Sequence, residues 1–136
     1  MIQKQSDIDR ELFTIKKYFQ QHWPICGFCG HLVPNDGDLA HFIRRSYSKE
    51  LQTNKLNLTL CHRDCHSIFD DNPDQALYLP RIIEVMYIIW KLDADYFYRL
   101  SSRFPELNDV FELFPEVPDQ RLEHHGELIT LQYLIR

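Results

Sequence analysis

Cysteine occurs four times in this 136-residue chain, and only as two close pairs, Cys26-x2-Cys29 and Cys61-x3-Cys65. Gly27 and Gly30 follow the first two cysteines and let backbone amides turn toward thiolate sulfur. A second pair further along the chain then completes a tetrahedral set of sulfur donors around a structural zinc ion. The expected shell is therefore Cys26, Cys29, Cys61 and Cys65. The second pair is one residue wider than the usual knuckle, and His62 and His66 beside it are alternatives to one of its thiolates. Two disulfides, or four buried thiols, are the competing readings. The first residues, Met1-Ile2-Gln3-Lys4-Gln5-Ser6-Asp7, contain no apolar leader-like run. A non-secreted protein with reduced thiols is the expectation.

A hydrophobic content of 44% with 13% aromatics is sufficient for a core, and the length suits a single domain over residues 1–136. The longest apolar stretch, residues 82 to 90, is too short to cross a bilayer and contains Glu84, so no membrane partner is expected. The net charge of −5 argues against indiscriminate binding to nucleic acid, because phosphate affinity comes mainly from Lys and Arg contacts. The charge is uneven, however. Between residues 41 and 63, Arg44, Arg45, Lys49, Lys55 and Arg63 stand against Glu50 alone, a net +4. Residues 104 to 128 carry seven acids against Arg121, a net −6. The basic island coincides with the cysteine module and is the candidate DNA-binding surface; a merely solvated mixed surface is the bland alternative.

Apolar spacing at Ile8, Leu12, Ile15 and Phe19 predicts a helix over 6–22, capped by Ser6 or Asp7 and ended by Trp23-Pro24. Pro34-Asn35-Asp36-Gly37 is a turn signal before an extended segment from Leu39 to Ile43. Leu56, Leu58 and Leu60 alternate with Asn57 and Thr59, the period of a strand with one buried face, and the two strands can pair across a loop of roughly a dozen residues. Helix is expected after Cys65, with Asn72-Pro73 as a cap and Pro80 as a stop. Residues 81–104 read as one unusually apolar helix, buried or available for self-association as a homodimer. A short helix is expected over 108–114, and a further helix over 121–136. His124 and His125 read as surface histidines, and His22 and His31 carry no assignment.

Strand, strand and helix between and after the cysteines form a ββα unit that brings His41, Asn57 and His66 into one neighbourhood. His66 and Asp70 are four apart, share a helix face and can ligate one divalent ion. Neutral His41 can deprotonate a water. The competing readings are a hydrogen-bonded sheet histidine for His41, a strand-entry asparagine for Asn57, a zinc ligand for His66 and a helix cap for Asp70.

Residues 26 to 70, about a third of the chain, resemble the HNH endonucleases, in particular the branch whose four-cysteine, treble-clef-like zinc finger braces a ββα-metal catalytic unit. The resemblance rests on Cys26-x2-Cys29, on Ala40-His41-Phe42-Ile43-Arg44-Arg45-Ser46, and on Asn57-Leu58-Thr59-Leu60-Cys61-His62-Arg63-Asp64-Cys65-His66. It implies that His41 is the general base, that Asn57 orients the loop or helps bind metal, and that His66 binds a catalytic Mg or other divalent ion with Asp70 as second ligand. Arg44 and Arg45 would contact DNA phosphates. A phage-infected host or bacterial cytoplasm is the implied setting.

Two departures stand out. Family members usually carry Asp or His immediately before the base, where this chain has Ala40; a similar small residue, in a Gly-His-Phe or Gly-His-Tyr run, occurs in some phage NinG-like recombination proteins. Cys61 also falls one place early, so that His62 occupies the usual cysteine position. The expectation is an α+β fold with an N-terminal helix (6–22), a zinc/HNH-like module (25–72) and a mainly helical C-terminal part (73–136), acting as a metal-dependent DNA endonuclease. The alternative is an inactive zinc-finger module that binds DNA or protein.

Overall fold

The computed structural model describes residues 4–116. Helix α1 spans Gln5–His22, a hairpin follows as β1 (Asp38–His41) and β2 (Leu58–Cys61), and the remainder is helical. The later elements are α2 (Arg63–Asp71), α3 (Pro73–Ala76), α4 (Ile82–Leu92), α5 (Ala94–Ser101) and α6 (Asn108–Phe111), with 3₁₀ turns at Lys55–Asn57, Pro105–Leu107 and Phe114–Glu116. The fold is mixed α+β. No helix among the described residues is long and apolar enough to cross a membrane. The helix expected over 121–136, with His124 and His125, lies outside the described residues.

Helix α1 buries Leu12, Ile15 and Phe19, the stripe anticipated from its spacing. Its N-cap is Lys4, not Ser6 or Asp7. Those two residues sit inside the first turn, where the Asp7 carboxylate still complements the positive end of the helix. Asn72 does cap the next segment as expected, accepting the Gln75 N–H at 3.3 Å with Pro73 in the first turn.

The strands pair antiparallel, with Asp38 opposite Cys61 and His41 opposite Leu58. They are shorter than the sequence suggests because the Asn57 side chain takes over where the ladder would continue. Its Oδ1 accepts the Ile43 N–H at 2.8 Å, while its Nδ2 donates to Ile43 O and Leu51 O at 3.0 and 3.1 Å. β2 is buried on both faces rather than one. Thr59 tolerates this because its hydroxyl accepts the Gly27 N–H at 3.0 Å and donates to Leu60 O at 2.8 Å. Gly27 allows that approach: a Cβ there would lie 2.6 Å from Thr59 Oγ1.

The apolar run after Pro80 is two helices, not one. Asp93 has an extended backbone (φ −159°, ψ 100°) and its carboxylate caps α5 by accepting the Tyr96 N–H at 3.0 Å. α4 is buried continuously from Ile82 to Ile89, so its apolar surface is already covered within this chain. Aromatic rings join the cysteine knuckle to α2 and to the loop after β1. Phe28 of the cysteine knuckle stacks on Phe69 of α2 at 4.8 Å and meets Phe42 edge-on at 5.7 Å.

Phe28 is fully buried and contacts both the loop after β1 and α2. Phe28→Ala is expected to lower the unfolding free energy by about 3–5 kcal/mol, from lost transfer and an unfilled cavity. Denaturant titration checks this; a loss below about 1 kcal/mol would contradict the packing.

Candidate metal and histidine sites

The first pair of cysteines forms the expected knuckle. Burial pushes the Cys26 thiol up, but the backbone N–H groups of His62, Cys29 and Phe28 donate to its sulfur and leave its pKa lowered overall. Gly30 adopts φ +81°, a left-handed conformation that costs glycine nothing. Cys29 receives a further amide from His31, yet burial and the Cys26 sulfur raise it.

The donors that converge with this knuckle are His62 and Cys65. One ligand atom from each of Cys26, Cys29, His62 and Cys65 lies within 4.8 Å of the others, and this is the only grouping of its kind among the described residues. His62 Nδ1 is 3.4 Å from Cys29 Sγ and 4.0 Å from Cys65 Sγ, bracketing the edge of about 3.6 Å that ordinary Zn–S and Zn–N bond lengths give in a tetrahedron. His62 Nε2 donates to Leu32 O at 2.9 Å, because a carbonyl only accepts. That tautomer leaves the Nδ1 lone pair directed at the sulfurs. Burial and the neighbouring sulfurs raise Cys65 to about 12, a crowding of anions that a dication would relieve. The group could hold a structural zinc.

Cys61 is not among these converging donors, so the expected four-sulfur shell is not the set that the fold brings together. Cys61 ends β2, fully buried, with its thiol donating to Asp38 O at 3.7 Å, and burial holds it firmly protonated. His62 caps α2 and Cys65 lies in its first turn, so the pair His62-x2-Cys65 restores the two-residue gap that the second pair of cysteines lacks.

A second set of polar residues lies outside the Cys3His group. His41, His66 and Asp70 line one open cleft of about 760 Å³, together with Arg44, Arg45 and the α1 residues Phe13 and Lys16. His41 Nε2 donates to Gln52 O at 2.9 Å, so the neutral ring carries its lone pair on Nδ1. Burial lowers the His41 pKa, and the Arg45 and His66 charges lower it further. His66 is pushed the opposite way. Its Nε2 lies 3.1 Å from Asp70 and its Nδ1 3.1 Å from Asp38, and the hydrogen bond to Asp70, outweighing burial with help from Asp38, raises it to about 9.

Asn57 has no exposed surface; its bonds to Ile43 and Leu51 leave it as a clamp on the loop, not a metal ligand. The basic island is divided. Arg44 and Arg45 face the cleft, with Arg45 3.5 Å from Asp9. Lys55 sits over the Tyr18 ring at 4.1 Å, Arg63 reaches Asp38 at 3.4 Å, and Lys49 is exposed outside the cleft lining. Sequence reasoning missed Lys16, one place beyond the buried Ile15 in α1, and Asp38, hidden within the turn-like run Asn35-Asp36-Gly37-Asp38.

His62→Ala is expected to bring the zinc content of purified protein well below half an equivalent, whereas Cys61→Ser leaves it near one. Elemental analysis of both variants decides between the two ligand sets; the reverse pattern would restore Cys61 to the shell.

No family model matches the chain, and no curated protein or solved structure matches it significantly; what stands is a mixed α+β chain whose Cys3His group, beside a two-stranded hairpin, could hold zinc.

Proposed function

We propose that this chain is a metal-dependent DNA endonuclease of HNH type, braced by zinc at Cys26, Cys29, His62 and Cys65. The observation that carries the reading is the pairing in one cleft of two histidines with opposed environments. His41 is held neutral with Nδ1 free, and His66 is held with Asp70 at an edge that can receive a cation. Opposed environments of this kind separate a base from a charge-handling group.

The imidazole nitrogen suits an ion such as Ni and the carboxylate one such as Mg or Mn, so the pair could hold a divalent ion with its remaining positions open. Such an ion would stabilise negative charge developing on a scissile phosphate and its leaving oxygen. His41 removes the proton from the attacking water through Nδ1, and Gln52 O steadies the imidazolium that results by accepting from Nε2. Asn57 maintains that geometry from behind, because it closes the loop that carries Gln52. Lys16, Arg44 and Arg45 supply cationic contacts for the flanking phosphates.

Supercoiled-plasmid cleavage with added Mg, Mn or Ni ions tests the reading. His41→Ala is expected to lose at least about 100-fold in rate with zinc content and DNA affinity unchanged. A variant that retains more than a tenth of the wild-type rate would remove His41 as the base. Only neutral imidazole accepts the proton and burial lowers its pKa, so at saturating metal the rate should rise with pH through a midpoint below the ordinary histidine value of about 6.5 and then level off. A midpoint well above that value would contradict the assignment.

Three phosphate contacts from Lys16, Arg44 and Arg45 imply that raising salt from about 50 to 200 mM weakens duplex binding roughly 40-fold. With Arg44→Ala and Arg45→Ala combined, the loss should shrink to about 4-fold. Fluorescence titration reads both slopes, and an unchanged slope would place the interface elsewhere.

A further inference from the structure

The ring of His66 is held along both edges. Asp70, one turn further along α2, meets Nε2, and Asp38, from the start of β1, meets Nδ1, each at 3.1 Å. These carboxylates cannot share one ion through a single ring, since they address nitrogens on opposite sides of it. The two edges also differ in what they face. His66 and Asp70 line the cleft, and Asp38 does not.

The strand period explains how Asp38 arrives there. Residues two apart on β1 share a face, so Asp38 and Ala40 lie on the same side of the strand, and the contact from Asp38 to His66 shows that this side looks toward α2. Ala40 is buried and contributes no donor. The carboxylate on this face of β1 therefore enters two residues earlier. It meets the imidazole, not the cleft.

We infer that Asp38 is a positioning residue that holds His66 with Nδ1–H on its carboxylate and so presents Nε2, beside Asp70, to a divalent ion in the cleft. This rests on the reading of His66 and Asp70 as ion ligands. A carboxylate behind a ligating imidazole fixes the tautomer and ring orientation, and its loss costs 10- to 100-fold in metal affinity in comparable sites, about the range expected here. Asp38 touches neither the substrate nor the ion.

The test uses the full chain with its Cys3His group loaded with zinc. Mn²⁺ binding is titrated by electron paramagnetic resonance for the wild type, Asp38→Ala, Asp38→Asn and Arg63→Ala, with zinc content and circular dichroism recorded for each. Asp38→Ala is expected to weaken Mn²⁺ binding about 10- to 100-fold. Asp38→Asn, which keeps an acceptor oxygen, should fall between it and the wild type, and Arg63→Ala, which removes the other side-chain partner of Asp38, should stay within about twofold. With added diamagnetic Zn²⁺ as the cleft ion, long-range ¹H–¹⁵N spectra should show His66 protonated at Nδ1 in the wild type and a mixture of tautomers in Asp38→Ala. Equal Mn²⁺ affinity and an unchanged tautomer in folded Asp38→Ala would overturn the role of Asp38 alone. A wild type that binds no Mn²⁺ would overturn it together with the ion site.

Discussion

The rest of the structure depends on how the cysteine knuckle is tied to the start of α2. His62 makes that tie from both nitrogens: Nε2–H reaches the Leu32 carbonyl beyond the knuckle, and Nδ1 meets the sulfurs of Cys29 and Cys65. The Cys26 sulfur adds a bond from the His62 backbone N–H. Because β2 runs directly into His62, anchoring this residue sets where α2 begins and which of its faces looks back at β1. The cleft residues His66 and Asp70 lie on that helix, so their placement follows from a site in which they take no part.

The outline of the module was legible in the sequence because it is written in local signals. The stripe in α1, the glycines of the knuckle and Asn72-Pro73 each depend on neighbours a few residues away. Cys61 stands apart from the Cys3His group because a strand-ending residue is held by its partner strand, whereas the N-cap residue one place later can turn toward the knuckle. The displaced cysteine spacing was visible, and its resolution required knowing where β2 ends. The break at Asp93 was missed because one capping carboxylate is a weak mark within a long apolar run. Asp38 carried no signal at all; its meaning comes from residue 66, brought close only by the fold.

Two histidines in one cleft differ through their surroundings, not their chemistry. His41 has a carbonyl on one nitrogen, burial around it and cations nearby, all but the first favouring the neutral ring. His66 has a carboxylate on each nitrogen, and these favour the charged ring over the opposing effect of burial. Each also favours the other's state, since a charged His66 lowers the basicity of His41. A cation replacing the His66 proton would preserve that influence.

The three bonds of Asn57 divide the long connection between the strands into two parts with different freedom. The stretch from Leu51 to Asn57 is bound to the frame, and it includes the carbonyl that holds His41. From Arg44 to Glu50 the chain leaves the clamp at Ile43 and returns to it at Leu51, tied down by its own side chains: Arg44 donates to Asp70 O at 3.3 Å, Arg45 lies 3.5 Å from Asp9, and the Tyr47 ring meets Tyr96 at 4.8 Å. Added residues there would cost little in loop closure, but a change at Arg44 or Arg45 would reach the histidines, since Arg44 bonds the backbone of Asp70 and the Arg45 charge lowers the His41 pKa. The tolerance of this connection is therefore confined to positions such as Lys49 and Glu50, both exposed and outside the cleft lining.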